Sequence, residues 1–243
     1  MGAPICGGLG RRSLLLAAAA FAASPLAARA AAIYTPHEVA EAFRTRVQQR
    51  LAVPPSEAAV YAWLAELQLL DAGRPLWEPQ YLLVVDRDPH VQAALLYWRL
   101  SGRSWELLGA APASTGGPTG PGHLETPLGA FEQQVRASQR EAAGTRVFDF
   151  GWQRTRAATG QGPLLPARLQ ARAATGPHRL TLGRNCSNGC VLLPSALTRL
   201  IDELGLLDGE ARQGEQPLPY AGRLMLVLDS QRGERPEWSP APG

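Results

Sequence analysis

The sequence predicts a mainly β domain with one packed helix late in the chain and two helices ahead of the strands. The chain has 25 glycines and 21 prolines among 243 residues, roughly 19% against an average near 12%. Such a high share of turn-forming residues favours short strands joined by many turns. Short apolar runs of strand character recur from residue 81 onward. Helical spacing of apolar residues is confined to residues 35–71 and 195–204.

The segment 35–71 contains start and stop signals for two helices. Thr35-Pro36-His37-Glu38 reads as a capping box with proline at the first helical position. The first apolar stripe consists of Val39, Phe43 and Val47, up to Leu51. The second, after Pro54-Pro55 and a capping Ser56, consists of Val60, Trp63, Leu64, Leu67 and Leu70. We expect residues 31–78 to form a helical hairpin ahead of the main domain.

The main domain is predicted to span residues 79–229. Its predicted strands are 81–85, 93–99, 105–110, 129–135, 147–152, 191–193 and 224–228. Residues 155–166 have no apolar period and are predicted to be an exposed loop. The late helix is capped by Ser195, buries Leu197, Leu200, Ile201 and Leu204, and ends before Gly205. Residues 230–243 are proline-rich and are predicted to be a disordered tail.

The first 30 residues have the order of a secretory signal. Arg11-Arg12 precedes an apolar run from Leu14 to Ala23, and Ala28-Arg29-Ala30 resembles a cleavage site. The apolar run is too short to span a bilayer permanently. We therefore expect export to the periplasm or cell envelope, with no stable membrane insertion once the signal is removed. The arginine pair fits both Sec and twin-arginine export.

The charge balance argues against a nucleic-acid partner. All 24 basic residues are arginines, and three of them lie in residues 1–30, where there is no acidic residue. The remaining 21 arginines face 21 acidic residues, so the chain after the signal is neutral. A neutral protein without a basic stripe is a poor binder of nucleic acid.

Two of the three cysteines concentrate in one polar turn. Cys186 and Cys190 flank Ser187-Asn188-Gly189, and Val191-Leu192-Leu193 follows. Three cysteines are too few for a disulfide scaffold. A thiolate is a strong nucleophile for acyl transfer once a base assists it. Glycine beside cysteine lets the N–H groups of a turn converge on one point, which an oxyanion hole requires.

Several segments, in the same order, resemble the L,D-transpeptidases of bacterial cell-wall synthesis, whose catalytic domain is of the YkuD type. Ser187-Asn188-Gly189-Cys190-Val191-Leu192 resembles the family segment Ser-His-Gly-Cys or Ser-Lys-Gly-Cys followed by an aliphatic residue and arginine. His123 to Phe131 contains a match to Thr-Pro-x-Gly-x-Phe. The segments 147–152 and 194–208 are also similar. The resemblance spans about residues 80–228 and implies a β-sandwich-like catalytic fold.

The resemblance also implies an activity. Cys190 would attack a carbonyl group of a peptidoglycan stem peptide, and an amine of a second stem would resolve the acyl-enzyme into a cross-link. Ser187, Asn188 and Gly189 would shape the oxyanion and substrate-binding site. Neither a metal nor an organic cofactor is implied. Water as acceptor would make the same site an L,D-carboxypeptidase.

Two departures from the family pattern leave a second interpretation open. The family's base histidine should fall near residues 172–174, where this chain has none, and the nearest histidine is His178. Leu192 stands where the family has arginine. The alternative is a cell-wall-binding or scaffold protein that retains the fold without catalysis. A thiol–disulfide protein is disfavoured because three residues, rather than two, separate Cys186 from Cys190. A disulfide between these two cysteines stays open, and the oligomeric state is unknown.

Overall fold

The structure is a computed structural model that describes residues 34–100, 104–117, 123–141, 144–157, 163–209 and 220–239. Its helices are α1 (Pro36–Arg46), α2 (Pro55–Asp71) and α3 (Ser195–Leu204). Its strands are β1 (Gln80–Asp86), β2 (Ala93–Arg99), β3 (Trp105–Pro112), β4 (Gly129–Glu132), β5 (Gln139–Arg140), β6 (Arg146–Thr155), β7 (Leu165–Ala173), β8 (Val191–Leu193) and β9 (Leu224–Leu228). Short 3₁₀ turns lie at Val135–Ala137 and Gly176–Thr181. In these ranges no helix has the length and apolar character needed to cross a membrane.

The strands form two sheets, which confirms the mainly β prediction. The larger sheet has the order β3-β2-β1-β9-β4, and the smaller has the order β5-β6-β7-β8. Most neighbours are antiparallel, but β1 pairs in parallel with β9, and β7 pairs in parallel with β8. The last strand in the chain therefore lies in the interior of the larger sheet.

Strand β1 shows why the larger sheet is covered on both faces. Tyr81, Leu83 and Val85 lie in a core cluster that also contains residues of the smaller sheet and of α1 and α3. Leu82 and Val84 point the other way, into a second cluster with α2. A strand buried on both faces reads as a continuous apolar run rather than as an alternation, and this run made β1 easy to predict.

The two N-terminal helices form, but not as the expected hairpin. The capping box at Thr35 is present, and Val39 and Phe43 of α1 are buried in the core between the sheets. Helix α2 instead packs on the outer face of the larger sheet. Each helix completes a different layer of residues 31–243, which form one compact unit.

Helix α2 turns a different face inward from the one predicted. Tyr61, Ala65 and Leu69 are buried, whereas Trp63 and Leu67 of the predicted stripe are 61% and 38% exposed. The helix is apolar nearly all round, so its periodicity does not select a face. The hydroxyl of Tyr61 donates to a carboxylate oxygen of buried Asp86 at 2.6 Å, and this bond sets the orientation.

Three further predictions need correction, in the smaller sheet, β4 and α3. The segment 155–166 was expected to be a loop, but β6 runs to Thr155 and β7 begins at Leu165. Residues 158–162 lie outside the described ranges. Strand β4 stops at Glu132, before a 3₁₀ turn. The expected face of α3 is buried, but Pro194 rather than Ser195 is its N-cap, and the Ser195 hydroxyl donates to Ala174 O.

The segment 230–239 is held against the domain, in contrast to the disordered tail expected from residue 230. The Arg232 N–H donates to the carboxylate of buried Asp88. The Trp238 ring meets Tyr61 edge-on at 5.8 Å. The Ser239 hydroxyl donates to two backbone carbonyls of the β1–β2 turn. Proline-rich composition did not reveal these specific partners. Residues 240–243 lie outside the described part of the chain.

The corrected orientation of α2 gives a matched pair of substitutions. Leu69→Ala should lower the free energy of unfolding by about 2–5 kcal/mol, because it leaves a cavity in the outer cluster. Leu67→Ala, on the exposed face, should lower it by less than about 1 kcal/mol. Denaturant unfolding of both variants measures the difference. A larger loss for Leu67→Ala would show that the helix uses the face first predicted.

Candidate active site

Cys190 lies at the point where a polar turn enters the smaller sheet. Val191, the next residue, pairs in parallel with Ala171 of β7. The side chains of Val191 and Leu193 are fully buried in the core between the sheets, and α3 starts two residues later. Because the residues that follow Cys190 are anchored in this way, Cys190 has a defined position at the edge of the sheet.

A neighbouring loop holds the turn from the other side. The Ser187 N–H donates to Thr115 O at 3.0 Å, and Ser114 and Leu192 exchange two backbone hydrogen bonds. The Thr126 hydroxyl accepts from the Gly116 N–H at 2.8 Å. The same hydroxyl lies within donating distance of the carbonyl oxygens of residues 189 and 190, at 3.2 and 3.4 Å. Residues 114–117 and 123–126 thus form the second wall of the site.

Two glycines are required for this contact. Gly189 has φ +78°, in the left-handed region that L side chains avoid. A Cβ on Gly116 would lie 2.1 Å from Leu124 O and 2.6 Å from Gly189 N, so only glycine allows the two segments to approach. The turn and the loop therefore depend on each other for their conformation.

The three residues expected to form the oxyanion site divide into two groups. The Ser187 hydroxyl donates to Cys190 O, and the Asn188 side-chain oxygen accepts from the Leu124 N–H at 2.9 Å. Both side chains thus stabilise the turn itself. The N–H groups of Gly189 and Cys190 have no acceptor within the described ranges. These two backbone groups, rather than the side chains, are the donors of the turn that are not used within it.

The thiol of Cys190 is half-buried and lies near a positive charge. Burial raises its pKa above the ordinary cysteine range, and the charge of Arg172 partly offsets this by favouring the thiolate. Arg172 lies on β7, in register with Leu192. Among the residues described, burial and the charge of Arg172 are the two causes of the shift in the Cys190 pKa. The thiol is therefore largely protonated at neutral pH.

His178, the expected base, lies in the 3₁₀ turn Gly176–Thr181 and is exposed. Its backbone N–H donates to Thr175 O, and its carbonyl accepts from the Thr181 hydroxyl. It is not among the groups that shift the Cys190 pKa. The base role of His178 thus stays a prediction. His123 precedes Leu124, whose N–H donates to Asn188 in the Cys190 turn.

One position where the family pattern differs is buried. Leu192, in place of the family's arginine, packs with Ala174 and Leu182 in a small apolar cluster. Cys186 is a free thiol, as Cys190 is, and its sulfur lies 3.8 Å from the Ser114 hydroxyl. Within the described ranges, no group of three histidine, cysteine or acidic side chains is arranged to hold a metal ion.

The contacts that Thr115, Gly116 and Leu124 make with the Cys190 turn could not be predicted from the sequence. The sequence feature that could have indicated these contacts is the glycine-rich segment that starts at Gly116, just ahead of the family-like motif at Thr126-Pro127. A glycine-rich loop next to a motif indicates a close backbone approach, but not the partner that is approached.

Comparison with known proteins gives a distant likeness. No model of a protein family and no curated protein matches the chain. An L,D-transpeptidase from Mycobacterium smegmatis aligns at 18% identity and TM-score 0.33. The structure of the L,D-transpeptidase LdtMt1 in complex with imipenem aligns at 15% identity and TM-score 0.34. Each alignment covers 62% of this chain and 59% of the other, which is less than two thirds of either solved chain.

The raised pKa of Cys190 predicts a specific pH dependence of its alkylation. Since only the thiolate reacts, labelling by iodoacetamide should keep rising with pH through the range in which an unperturbed cysteine levels off. Quantification of the peptide containing Cys190 by mass spectrometry measures the rate. A short cysteine peptide, whose pKa is near 8.5, should begin to level off in this range. A plateau for Cys190 at a lower pH than for the peptide would contradict the prediction.

Proposed function

We propose that this chain is a cysteine-dependent acyltransferase of the L,D-transpeptidase type that acts on peptidoglycan stem peptides. One observation carries the proposal: Cys190 follows a left-handed glycine, and within the described residues the N–H groups of Gly189 and Cys190 are not used in hydrogen bonds. A nucleophile and two converging donors are what acyl transfer requires. The resemblance of the segments 123–131 and 187–192 to the family supports the substrate class.

The reaction proceeds in two steps, formation of a thioester on Cys190 and its transfer to an acceptor. The Cys190 sulfur attacks the carbonyl carbon of the diamino-acid residue that precedes the terminal D-alanine, and the N–H groups of Gly189 and Cys190 hold the resulting oxyanion. The C–N bond then breaks, the leaving nitrogen takes up the proton that the thiol gives up, D-alanine departs, and a thioester remains. A side-chain amine of a second stem attacks the thioester, releases the thiol and forms the cross-link. Water as acceptor gives carboxypeptidase activity.

The alternative function is binding or scaffolding in the cell wall without catalysis. A specific observation favours it: burial raises the Cys190 pKa, and residues 172–174 place Arg172 and two buried alanines where a base would be needed. An arginine does not accept a proton at ordinary pH. A retained fold with a protonated thiol would still bind stem peptides.

Acylation by imipenem distinguishes these functions. The reduced protein should gain the mass of one imipenem molecule on Cys190, Cys190→Ala should gain none, and Cys186→Ala should react as the wild type does. If His178 is the base, His178→Ala should lose most of the acylation rate at neutral pH. An unchanged rate would remove His178 from the site.

Failure of the wild-type protein to form an adduct would point to the scaffold function. The protein should then still sediment with purified peptidoglycan, and Cys190→Ala should sediment equally well. Neither adduct nor sedimentation would contradict both functions. Reductant must be present throughout, because a disulfide between Cys186 and Cys190 would block the nucleophile.

We also propose that residues 1–30 are removed on export, so that the protein acts in the periplasm or cell envelope. The order of basic, apolar and small residues in this segment supports the proposal. The intact mass of the protein isolated from the native envelope should correspond to a chain that begins at residue 31. A mass that includes Met1 would contradict it.

A further inference from the structure

We propose that Arg172 is an anion-binding group of the Cys190 site, and that it receives the terminal carboxylate of the acyl donor. The inference rests on the proposed function, because it names the part of the donor that the site selects. It would make the enzyme act on the last peptide bond of a stem and on no internal bond.

The position of Arg172 is set by the smaller sheet. Arg172 is the next-to-last residue of β7 and pairs in parallel register with Leu192, two residues after Cys190. The same register aligns Ala171 with Val191, directly after the nucleophile. Arg172 therefore lies on the strand adjacent to the reacting residue, and its charge acts on the thiol.

The guanidinium group of Arg172 has unused hydrogen-bonding capacity. Its Nε is buried and has no hydrogen-bond partner among the described residues. Its Nη1 lies 3.6 Å from a carboxylate oxygen of Glu141, an ion pair that is longer than a hydrogen bond. The side chain as a whole is 37% exposed, so a ligand can reach it from solvent. The buried Nε is out of reach of a ligand, so an arriving carboxylate would be received by the exposed part of the side chain.

The chemistry of the donor fits this group. A planar guanidinium binds a carboxylate through two parallel N–H···O bonds, and this geometry distinguishes a carboxylate from an amide. In the proposed reaction, the terminal carboxylate lies one residue beyond the carbonyl that Cys190 attacks. Arg172, on the neighbouring strand, is therefore placed to bind the terminal carboxylate while Cys190 attacks the peptide bond before it.

The test compares two donors and four proteins. The donors are a stem tetrapeptide that ends in D-alanine and the same peptide with its C-terminus amidated. The wild type should release D-alanine from the acid about tenfold to a hundredfold faster than D-alaninamide from the amide. Arg172→Gln should lower this preference to less than about threefold, and Arg172→Lys, which keeps the charge but not the fork, should be intermediate. Arg179→Gln, on the exposed turn, is the matched control and should retain the full preference.

A second measurement does not depend on turnover. Iodoacetate is an anion and iodoacetamide is neutral, so the ratio of their rates at Cys190 reports the positive charge beside the sulfur. A shift in the thiol pKa changes both rates equally and cancels in the ratio. Arg172→Gln should lower the ratio about threefold or more, whereas Arg172→Lys and Arg179→Gln should change it little.

The two measurements separate this inference from the proposed function. If no protein turns over a donor but the ratio falls in Arg172→Gln alone, the anion site stands and the acyltransferase function fails. If the ratio is the same in Arg172→Gln and wild type, the anion site is overturned whatever the turnover. Turnover with an undiminished carboxylate preference in Arg172→Gln overturns the proposed carboxylate contact.

Discussion

The geometry around Cys190 depends on the hydroxyl group of Thr126. This hydroxyl accepts from the Gly116 N–H and lies within donating distance of the carbonyl oxygens of Gly189 and Cys190. It is fully buried, so water does not compete for these bonds. One side chain thus joins the loop after β3 to the turn before β8, and through them it joins the two sheets. Burial without such partners would be costly for every polar group involved.

The regular elements were predictable to the extent that burial leaves a simple pattern. β1, β2 and β9 are continuous apolar runs, and α1 and α3 have capping or stop signals together with an apolar stripe on one face. β7 was not predicted because its buried residues are Leu169 and small alanines. They alternate with polar residues, including arginines, and give only a weak apolar pattern. The inward face of α2 and the packing of residues 230–239 depend on distant partners, Asp86 and Asp88, which local patterns do not reveal.

The candidate site was predictable in its nucleophile and turn, but not in its electrostatics. The motif around Cys190 is local in sequence, and the left-handed Gly189 follows from it. Arg172 is eighteen residues away in the chain, and only the parallel register of β7 and β8 brings its charge to the thiol. The consequence is chemical. Arginine stabilises anions but does not take a proton, so Arg172 favours the thiolate without acting as its base.

The position of β9 determines when the domain is able to fold. This strand lies between β1 and β4, yet it is the last strand to be synthesised. Until residue 228 has emerged, β1 lacks its parallel neighbour and β4 has no strand to pair with. The contacts of highest sequence separation must therefore form at the end, and such topologies fold slowly. During synthesis, the larger sheet therefore stays incomplete until the final strand has left the ribosome.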